Sequence, residues 1–537
     1  MPQLQKSTTI FYFKTFMVEW GLCCLVYAFM FFQFWWGNHD WEYVRHGVEL
    51  NSGFFEARYS QHIPTILLFE GQFFPIMTIL VSLLGVILFA IFSAAYLQMP
   101  KKTSAYVLFS LFIGLNPHIF ALFYYQHILI SFIYWPLICL WALYWIEQKQ
   151  TICRFLVLVL ALVGGLGSYP PLFTLIFCLF VIRRLWRIIE NNENLRVTMW
   201  ICLSFVLALV VALCIQKSIH FWLVKVGYVS PDMYNLQMRN IWDIFQVLPY
   251  ELKMSIMQFF HQYAFMGSLY VVFSAVLVGF GIIVFIFKEC KSVLCLIGLL
   301  GLFLLSRFTF IVADNAYNAE FRIEYWGKLG IYIFVLSVLF RQKALFIKNI
   351  SLCLVALGII CFAKTDFEIQ KVQALAFRAE GNYQQRIYER ILQHQNFDKN
   401  KSYISFVFGL PNLRRHFYYK NDLRAEELLD YSMIFGFDFV NKLFESEGES
   451  PIGVGMEVWE GKFFRAIRNP AVGQSLYSSQ DDEYILNIMY WLYNKAEQYP
   501  NANAIYIDNR YIILVPDAKT FYQKREQFIQ GIKDKGH

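Results

Sequence analysis

The sequence predicts a polytopic α-helical membrane protein that carries a smaller α/β domain at its carboxyl end. The first observation is composition. Of the 537 residues, 58% are hydrophobic and 16% are charged, against roughly 45–50% and 25% in an average soluble domain. The second observation is that apolar runs of about membrane-spanning length recur up to residue 363. The third is a change beyond that residue, where charged residues become common and short β-type runs appear.

Eleven apolar segments are candidates for membrane-spanning helices, because about 20 apolar residues cross the hydrocarbon core of a bilayer. They are residues 12–36, 73–97, 105–122, 127–146, 154–168, 171–186, 198–216, 266–287, 292–311, 325–341 and 346–363. The fifth and sixth segments are short and meet at the sequence GSYPP. They are either half-spanning helices that line a cavity or segments whose true boundaries lie elsewhere.

Lysine and arginine in the short loops predict the orientation, since cytoplasmic loops are enriched in both. One alternating set of loops holds most of them: Lys6, Lys14, Lys101, Lys102, Lys149, Arg154, Arg183, Arg184, Arg187, Lys288, Lys291, Arg341, Lys343 and Lys348. The amino terminus is therefore predicted to be cytoplasmic. After eleven crossings, the first loop and everything beyond Thr365 face the other side. The formal charge of +7 comes mostly from these loops and does not indicate binding of nucleic acid.

The change of composition divides the chain into a membrane domain, residues 1–363, and an extracytoplasmic α/β domain, residues 364–537. The runs SYISFVFG and NAIYIDNRYIILVP predict strands, and amphipathic stretches between and after them predict helices. The segment that begins at Lys364 predicts a helix joining the last span to this domain. The domain contains no clear catalytic constellation, so we expect it to shape or cap a binding site on the outer face.

The segment Lys217–Phe265 is the longest other stretch on the predicted outer side. Its aromatic and charged residues alternate at helical spacing. This pattern predicts a pair of amphipathic helices at the membrane surface.

The first loop, NHDWEYVRHGVELNSGFFEARYSQH, is unusually charged for so apolar a chain. It contains Asp40, Glu42, Arg45, Glu56 and Arg58. Any one of these side chains is adequately explained by a solvated loop. The cluster is more informative, because DWEYVRHGVEL reads as a short helix in which an arginine follows the acidic residues by one turn.

Further polar residues lie at the same predicted level of the membrane domain. They are Asn116, His118, Tyr124, Tyr125, Gln126, His127, Ser168, Tyr169, Arg307, Asp314, Glu320, Arg322, Glu324 and Lys328. Arg307 lies roughly 24 Å along its span at about 1.5 Å per residue, which is still within membrane depth. It is either an arginine that snorkels to lipid head groups or a cation that holds a phosphate at the mouth of a cavity.

Metal binding is only weakly indicated. The histidines at positions 39, 46, 62, 118 and 127 lack the i, i+4 pairing of a helical zinc site, so hydrogen bonding at the interface is the favoured role. A divalent ion held by Asp40 and Glu42 is the alternative. We expect no resident cofactor.

The stretch HDWEYVRHG…EARYSQHIP, together with the hairpin LNPHIFALFYYQH, resembles the polytopic bacterial glucosyltransferases that modify O-antigen. The resemblance covers the layout of the membrane part and these two motifs in detail. Members of the family often have two adjacent acids in the first loop, whereas here Trp41 separates Asp40 from Glu42. Where members often place an acid after the aromatic stretch, this chain has His127.

The resemblance implies a C-type glycosyltransferase of the bacterial inner membrane that takes a hexose from a polyprenyl-phosphate donor. Such chemistry needs a carboxylate as general base for the acceptor hydroxyl. Asp40 is the preferred base, because it follows the first span directly and Arg45 can keep it ionised. Glu42 is the alternative base.

Five cations are expected to bind the donor phosphate: Arg307, Arg322, Lys328, Arg45 and Arg58. Nine residues are expected to bind the sugar or the acceptor: His39, Trp41, His62, Asn116, His118, Tyr124, Tyr125, His127 and Tyr169.

Two other functions share this predicted architecture. One is a transporter or flippase for a lipid-linked sugar, which should place charges deeper in its spans or show internal repeats. The other is a C-type glycosyltransferase with a protein or another polymer as acceptor. The sequence identifies neither the sugar nor the acceptor.

Overall fold

The computed structural model describes residues 2–32, 47–56, 58–100, 102–123, 125–190, 195–228, 239–260, 268–290, 292–313, 320–401, 403–407, 453–457, 504–509 and 511–514. Most of these residues are helical. The described chain forms two compact units that meet in sequence between Val372 and Gln373.

The helices of the described residues are numbered in chain order. They are α1 Pro2–Val26, α2 Ala28–Phe32, α3 Ile63–Phe69, α4 Pro75–Tyr96, α5 Thr103–Gly114, α6 Phe120–Phe123, α7 Gln126–Gln148, α8 Ile152–Ser168, α9 Phe173–Ile189, α10 Leu195–Lys225, α11 Ile241–Met257, α12 Ser268–Val284, α13 Val293–Ser306, α14 Phe308–Val312, α15 Glu320–Arg341 and α16 Leu345–Leu392. Short 3-10 turns occupy Leu50–Glu56, Pro117–Ile119 and Pro170–Leu172, and a π-helical turn, Phe285–Glu289, extends α12.

Several helices are suited to a membrane, as the composition predicts. Among the described residues, six are long and apolar enough to cross a bilayer: α4, α7, α10, α12 with its π-helical turn, α15 and α16. Three shorter apolar helices, α5, α8 and α13, accompany them. On α10 the side chains of Met199, Leu203 and Val206 are 64%, 55% and 53% exposed. An apolar face of this kind is suited to contact with lipid tails.

Helices α4 and α7 run parallel to each other. Towards their amino ends, the Tyr134 hydroxyl donates to the carbonyl of Val81 at 3.0 Å. At their carboxyl ends, the Tyr96 hydroxyl donates to the carboxylate of Glu147 at 2.7 Å. The two contacts occur in the same order along both helices, so the helices point the same way.

Helices α9 and α15 continue the same parallel set. A Cβ atom built on Gly330 would lie 2.6 Å from the Cβ of Cys178, and two turns further on the Trp186 indole donates to the Ser337 hydroxyl at 2.9 Å. Arg184, near the carboxyl end of α9, pairs with the carboxylate at the end of α7 at 2.6 Å. The amino ends of α4, α7, α9 and α15 therefore gather at one end of the unit, and their carboxyl ends gather at the other.

Helix α15 is the central helix of the first unit, because every residue of its apolar stretch is buried. Gly327 lets α13 approach it closely. A Cβ atom at this position would overlap the carbonyl oxygen of Ser306. Glycine is therefore required here by packing and not by its backbone angles.

Two predicted spans end earlier than the sequence suggests. The span predicted at 105–122 ends as a helix at Gly114, because Pro117 cannot continue it and the Asn116 side chain accepts a hydrogen bond from the backbone N–H of His118 at 3.1 Å. The span predicted at 292–311 breaks at Arg307, between α13 and α14. In both places a polar residue interrupts an otherwise apolar run.

The predicted amphipathic pair at Lys217–Phe265 takes a different form. Its first part continues α10 as far as Lys225, and the second forms α11. The Asn240 side chain caps α11 by accepting from the backbone N–H groups of Trp242 and Asp243, both at 2.9 Å.

The second unit contains the carboxyl part of α16 and four strands: β1 Tyr403–Val407, β2 Gly453–Glu457, β3 Ile505–Ile507 and β4 Tyr511–Leu514. Their order in the sheet is β2-β1-β4-β3. The first two neighbouring pairs are parallel and the last is an antiparallel hairpin. Ile387 and Ile391 of α16 pack on this sheet with Tyr403 and Ile512. The predicted joining helix and the predicted strand runs coincide with α16, β1 and the hairpin.

The close contact between α13 and α15 predicts that Gly327→Ala destabilises the protein. Overpacking of a filled interior costs about 1–3 kcal/mol, so the midpoint of thermal unfolding in detergent should fall. Gly301→Ala on α13 is the matched control, because a Cβ atom built at that position would have no other atom within 4 Å. That substitution should leave the midpoint unchanged or raise it, since alanine is favoured over glycine in helices by about 1 kcal/mol. Equal midpoints for the two variants would contradict the contact.

Candidate functional site

Several predicted site residues meet where the amino ends of α7 and α9 lie. We call Arg58, Gln61, His62, His127 and Tyr169 the amino-end cluster. The Arg58 guanidinium lies 5.7 Å from the centre of the Tyr169 ring and donates to the Gln61 side chain at 3.3 Å. The rings of His62 and His127 are 6.3 Å apart. These residues come from three segments that are separate in the sequence.

The segment before α3 is held in place by backbone contacts. The hydroxyl of Ser60 bonds to the carbonyl of Gly164 on α8, and the hydroxyl of Ser131 on α7 bonds to the carbonyl of Gln61. The Trp135 indole donates to the Ser60 carbonyl at 3.3 Å. The positions of Arg58 and His62 are therefore set by α7 and α8, which makes this end of the first loop a rigid part of the unit.

His62 is suited to hydrogen bonding with a neutral ligand. Burial lowers the pKa of His62 to about 3, and the positive charges that His127 and Arg58 carry when protonated contribute to the shift. The imidazole of His62 is therefore uncharged at neutral pH. Its Nε2 lies 3.2 Å from the amide nitrogen of Gln61. Arg58 is half-buried and supplies the positive charge of the cluster.

A second group of charges is fully buried beside the first. We call Arg307, Glu251, Glu324, Lys328 and His118 the buried ion network. Arg307 pairs with Glu251 at 3.0 Å and with Glu324 at 3.5 Å. Lys328 pairs with Glu324 at 3.0 Å and donates to His118 Nε2 at 2.8 Å. An ammonium group can only donate, so Nε2 of His118 carries no proton.

The network explains why the chain breaks at Arg307. Its guanidinium lies 3.6 Å from the centre of the Phe310 ring, and none of its side chain is exposed. It therefore cannot snorkel to lipid in this conformation. Binding a phosphate through Arg307 would require exchange of a carboxylate partner. Lys328 is buried in the same way, at 1% exposure.

Trp326 lies between the two groups and was not predicted. Its ring is 6.5 Å from that of Tyr169, and it lies on α15 between Glu324 and Lys328. Glu251 was also missed, because it lies in a helix that the sequence assigns to the membrane surface. A single acid in a mostly apolar turn was the signal that could have identified it.

The remaining predicted site residues have these positions. Asn116 caps the 3-10 turn beside His118, and the Tyr125 ring lies 6.4 Å from that of His127. The backbone of Arg322 lies in the first turn of α15. Outside the described residues lie His39, Asp40, Trp41, Glu42, Arg45 and Tyr124.

A separate polar stripe runs along α1 and ends at Tyr27, the residue that follows the helix. Glu19, Cys23 and Tyr27 are spaced by four residues and are completely buried. The Tyr27 hydroxyl lies 3.0 Å from the carbonyl of Gly114 and 3.4 Å from the carboxyl of Asp366, so it can donate to either. Neither Glu19 nor Asp366 has a cationic partner among the described residues. Because a buried, uncompensated carboxylate is costly, both acids are best accommodated as neutral groups.

The described part of the site offers little open space. An apolar cavity of about 20 Å³ lies beside Phe132, Tyr325 and Trp326, which is room for about one water molecule. A hexose therefore cannot occupy it as it stands. Among the described residues there is no group of three or more His, Cys, Asp or Glu side chains that could hold a metal ion.

Comparisons with protein-family models, curated proteins and solved structures find no match for this chain. Its function is therefore inferred from the residues and their geometry.

The buried ion network predicts that Glu251→Gln is strongly destabilising. Removing one partner of a buried pair costs about 3–5 kcal/mol, because the Arg307 guanidinium loses its closest carboxylate. Glu368→Gln is the matched control, since Glu368 forms an exposed pair with Lys364 at 3.6 Å. Such surface pairs contribute about 0–1 kcal/mol. Thermal unfolding in detergent measures both variants. If Glu251→Gln shifts the midpoint no further than Glu368→Gln does, the network does not stabilise the unit.

The lowered pKa of His62 predicts a dependence of stability on pH. In the unfolded chain this histidine takes up a proton near its ordinary pKa of 6.5, whereas in the folded protein it does so only near 3. The free energy of unfolding is therefore complete above pH 6.5 and falls as the pH decreases towards 3, by at most about 1.4 kcal/mol per unit. His62→Gln should flatten this fall between pH 7.5 and pH 5. An unchanged pH profile in the variant would show that His62 does not contribute.

Proposed function

We propose that the protein is a membrane glycosyltransferase that moves a hexose from a polyprenyl-phosphate donor to a surface glycan such as O-antigen. The observation that carries the proposal is the amino-end cluster. A half-buried cation, an aromatic ring and two buried imidazoles come together there from separate segments of the chain. Arg58 and His62 belong to the end of the acidic first loop, and the cluster lies where the amino ends of parallel helices gather.

This end of the unit is suited to a phosphate. Helix amino ends carry partial positive charge and attract anions, and α7, α9 and α15 all begin here. Arg58 adds a guanidinium, whose planar donors can bind two phosphate oxygens together. We therefore assign the donor phosphate to Arg58, which is half-buried, in preference to the fully buried Arg307 and Lys328. The predicted positive-inside orientation places this end on the extracytoplasmic side of the inner membrane.

The aromatic and imidazole groups are suited to the sugar. Tyr169 and Trp326 are buried aromatic rings on which a pyranose can stack once the side chains around them move, and their contact connects the cluster to the central helix. The imidazole rings of His62 and His127 can form hydrogen bonds with hydroxyl groups. The apolar outer faces of the helices accommodate the polyprenyl tail.

The reaction proposed is a single displacement at the anomeric carbon. The acceptor hydroxyl oxygen forms the new bond to that carbon, and the bond from the carbon to the phosphate oxygen breaks with its electron pair. Asp40 takes the acceptor's proton, with Glu42 as the alternative base, and polyprenyl phosphate leaves. The anomeric configuration inverts. No nucleotide takes part.

Transport of a lipid-linked sugar is the second candidate, and one observation favours it. Glu19 and Asp366 are buried acids without a cationic partner among the described residues, and intramembrane acids often carry protons in transporters. A transporter moves the lipid-linked sugar without making a new glycosidic bond. Covalent product therefore separates the two functions.

The test is a transfer assay in proteoliposomes with a radiolabelled hexosyl polyprenyl phosphate and extracted glycan acceptor. We expect labelled glycan, and a fall in rate of about 10²–10⁴ for Asp40→Asn, because loss of a general base typically has that cost. Arg58→Gln should raise the KM for the donor more than it lowers kcat.

Glu49→Gln is the matched control, because Glu49 lies exposed in the same loop region and should have nearly normal activity. Movement of the label across the bilayer without labelled glycan would support transport instead. Normal turnover by both Asp40→Asn and Glu42→Gln would reject the proposed base.

A further inference from the structure

The opposite end of the parallel set carries a concentration of arginines. We call Tyr96, Glu147, Arg183, Arg184 and Arg187 the carboxyl-end cluster. Glu147 is the only carboxylate in this cluster, and two other side chains already bind it. It accepts from the Tyr96 hydroxyl at 2.7 Å and pairs with Arg184 at 2.6 Å. Arg183 approaches the same carboxylate only at 3.6 Å, which is too long for a hydrogen bond.

The other charged side chains at this end, Arg341, Glu190 and Glu289, also have partners. Arg341 pairs with Glu190, donates to the carbonyl of Leu97 and stacks on Trp186, with 4.2 Å from its guanidinium carbon to the ring centre. Glu289, which also faces Arg341, accepts from the Gln342 amide at 3.0 Å. Neither carboxylate is available to the arginines of the cluster.

Two guanidinium groups therefore have no carboxylate of their own among the described residues. Arg183 is 2% exposed, and Arg187 follows it by one helical turn and is half-buried. The Nε–H groups of both are buried and donate to nothing in the part of the chain that the structure describes. The partial negative charge of helix carboxyl ends favours cations here, but neither side chain donates to a described terminal carbonyl as Arg341 does. Such an arrangement is costly unless an anion completes it.

The surroundings indicate where that anion comes from. Trp141 and Trp145, six and two residues before Glu147, stack at 5.2 Å between ring centres, and Trp141 is 46% exposed. Arg154 stacks on the Trp145 ring at 5.0 Å. Exposed tryptophan beside arginine at the end of apolar helices is typical of the level of lipid head groups.

We propose that Arg183 and Arg187 bind the phosphate of an anionic phospholipid head group at the carboxyl end of α9. Two arginines one turn apart present two planar donor sets to one phosphate. The adjacent tryptophans lie at the glycerol level, and the acyl chains run along the apolar faces of the helices. Basic pockets between membrane helices bind anionic head groups by this chemistry. The site is distinct from the amino-end cluster and does not depend on the transfer reaction.

The experiment measures lipid binding to the full-length protein in detergent. Phosphatidylglycerol should raise the midpoint of thermal unfolding and remain bound in native mass spectrometry, and phosphatidylcholine should do neither. In the double variant Arg183→Gln/Arg187→Gln, retention should fall by about tenfold or more, since charge-assisted hydrogen bonds are lost. Lys343→Gln is the control, because Lys343 is an exposed cation at the same end and should leave retention unchanged.

Three outcomes would overturn the proposal. One is equal retention of phosphatidylglycerol by the double variant and the unaltered protein. Another is an equal response to phosphatidylcholine. The third is an equal shift of the midpoint with inorganic phosphate alone, which would assign the site to a soluble anion. If the double variant fails to fold, Arg187→Gln alone serves, because its half-buried side chain can be replaced with little effect on packing.

Discussion

The fold of the first unit depends on the ion pairs that Arg307 makes with Glu251 and Glu324. The three side chains lie on different helical elements, and together they hold α11 and the break after α13 against the central helix α15. A buried arginine with no carboxylate partner would cost several kcal/mol, so the three elements are stable only together. Lys328 completes the charge balance one turn along α15 and directs its remaining donors to His118. The central helix is thereby fixed in rotation, which places Trp326 beside Tyr169.

The parallel direction of α4, α7, α9 and α15 separates two kinds of chemistry within one unit. Their amino ends add partial positive charge where Arg58, His62 and His127 lie, and both the helix ends and Arg58 attract an anionic ligand. Their carboxyl ends attract the arginines that the sequence concentrates there, and those arginines exceed the described carboxylates that face them. The two proposed ligands, a lipid-linked phosphate at one end and a phospholipid head group at the other, therefore rest on the same arrangement of helices.

The sequence predicts the helical, apolar character of the first unit, the helix from Lys364 onward and three of the strands, because hydrophobic length and periodicity determine those features locally. It also predicts that His62, His127 and Tyr169 belong together, since charge and topology place them at one level. It could not predict the burial of Arg307. That depends on Glu251, which is 56 residues away and meets it only through the packing of α11. The break of the third span at Asn116 was equally hidden, although Pro117 was a visible signal. Local sequence patterns predict helices and strands. They do not reveal ion pairs between residues that are far apart in the sequence.

The buried ion network also bears on the choice between transfer and transport. Alternating access requires one group of helices to move against another, and a group that contains α15 would have to part Arg307 from Glu251 or Glu324 in each cycle. Breaking either pair exposes a charge to an apolar interior at a cost of several kcal/mol. Transfer needs space for donor and acceptor beside the amino-end cluster, but it does not require the ion network to break. Glu19 and Asp366 lie outside this network, so these two acids can change protonation without disturbing it. A rigid centre with its charges matched internally therefore favours the transferase over the transporter.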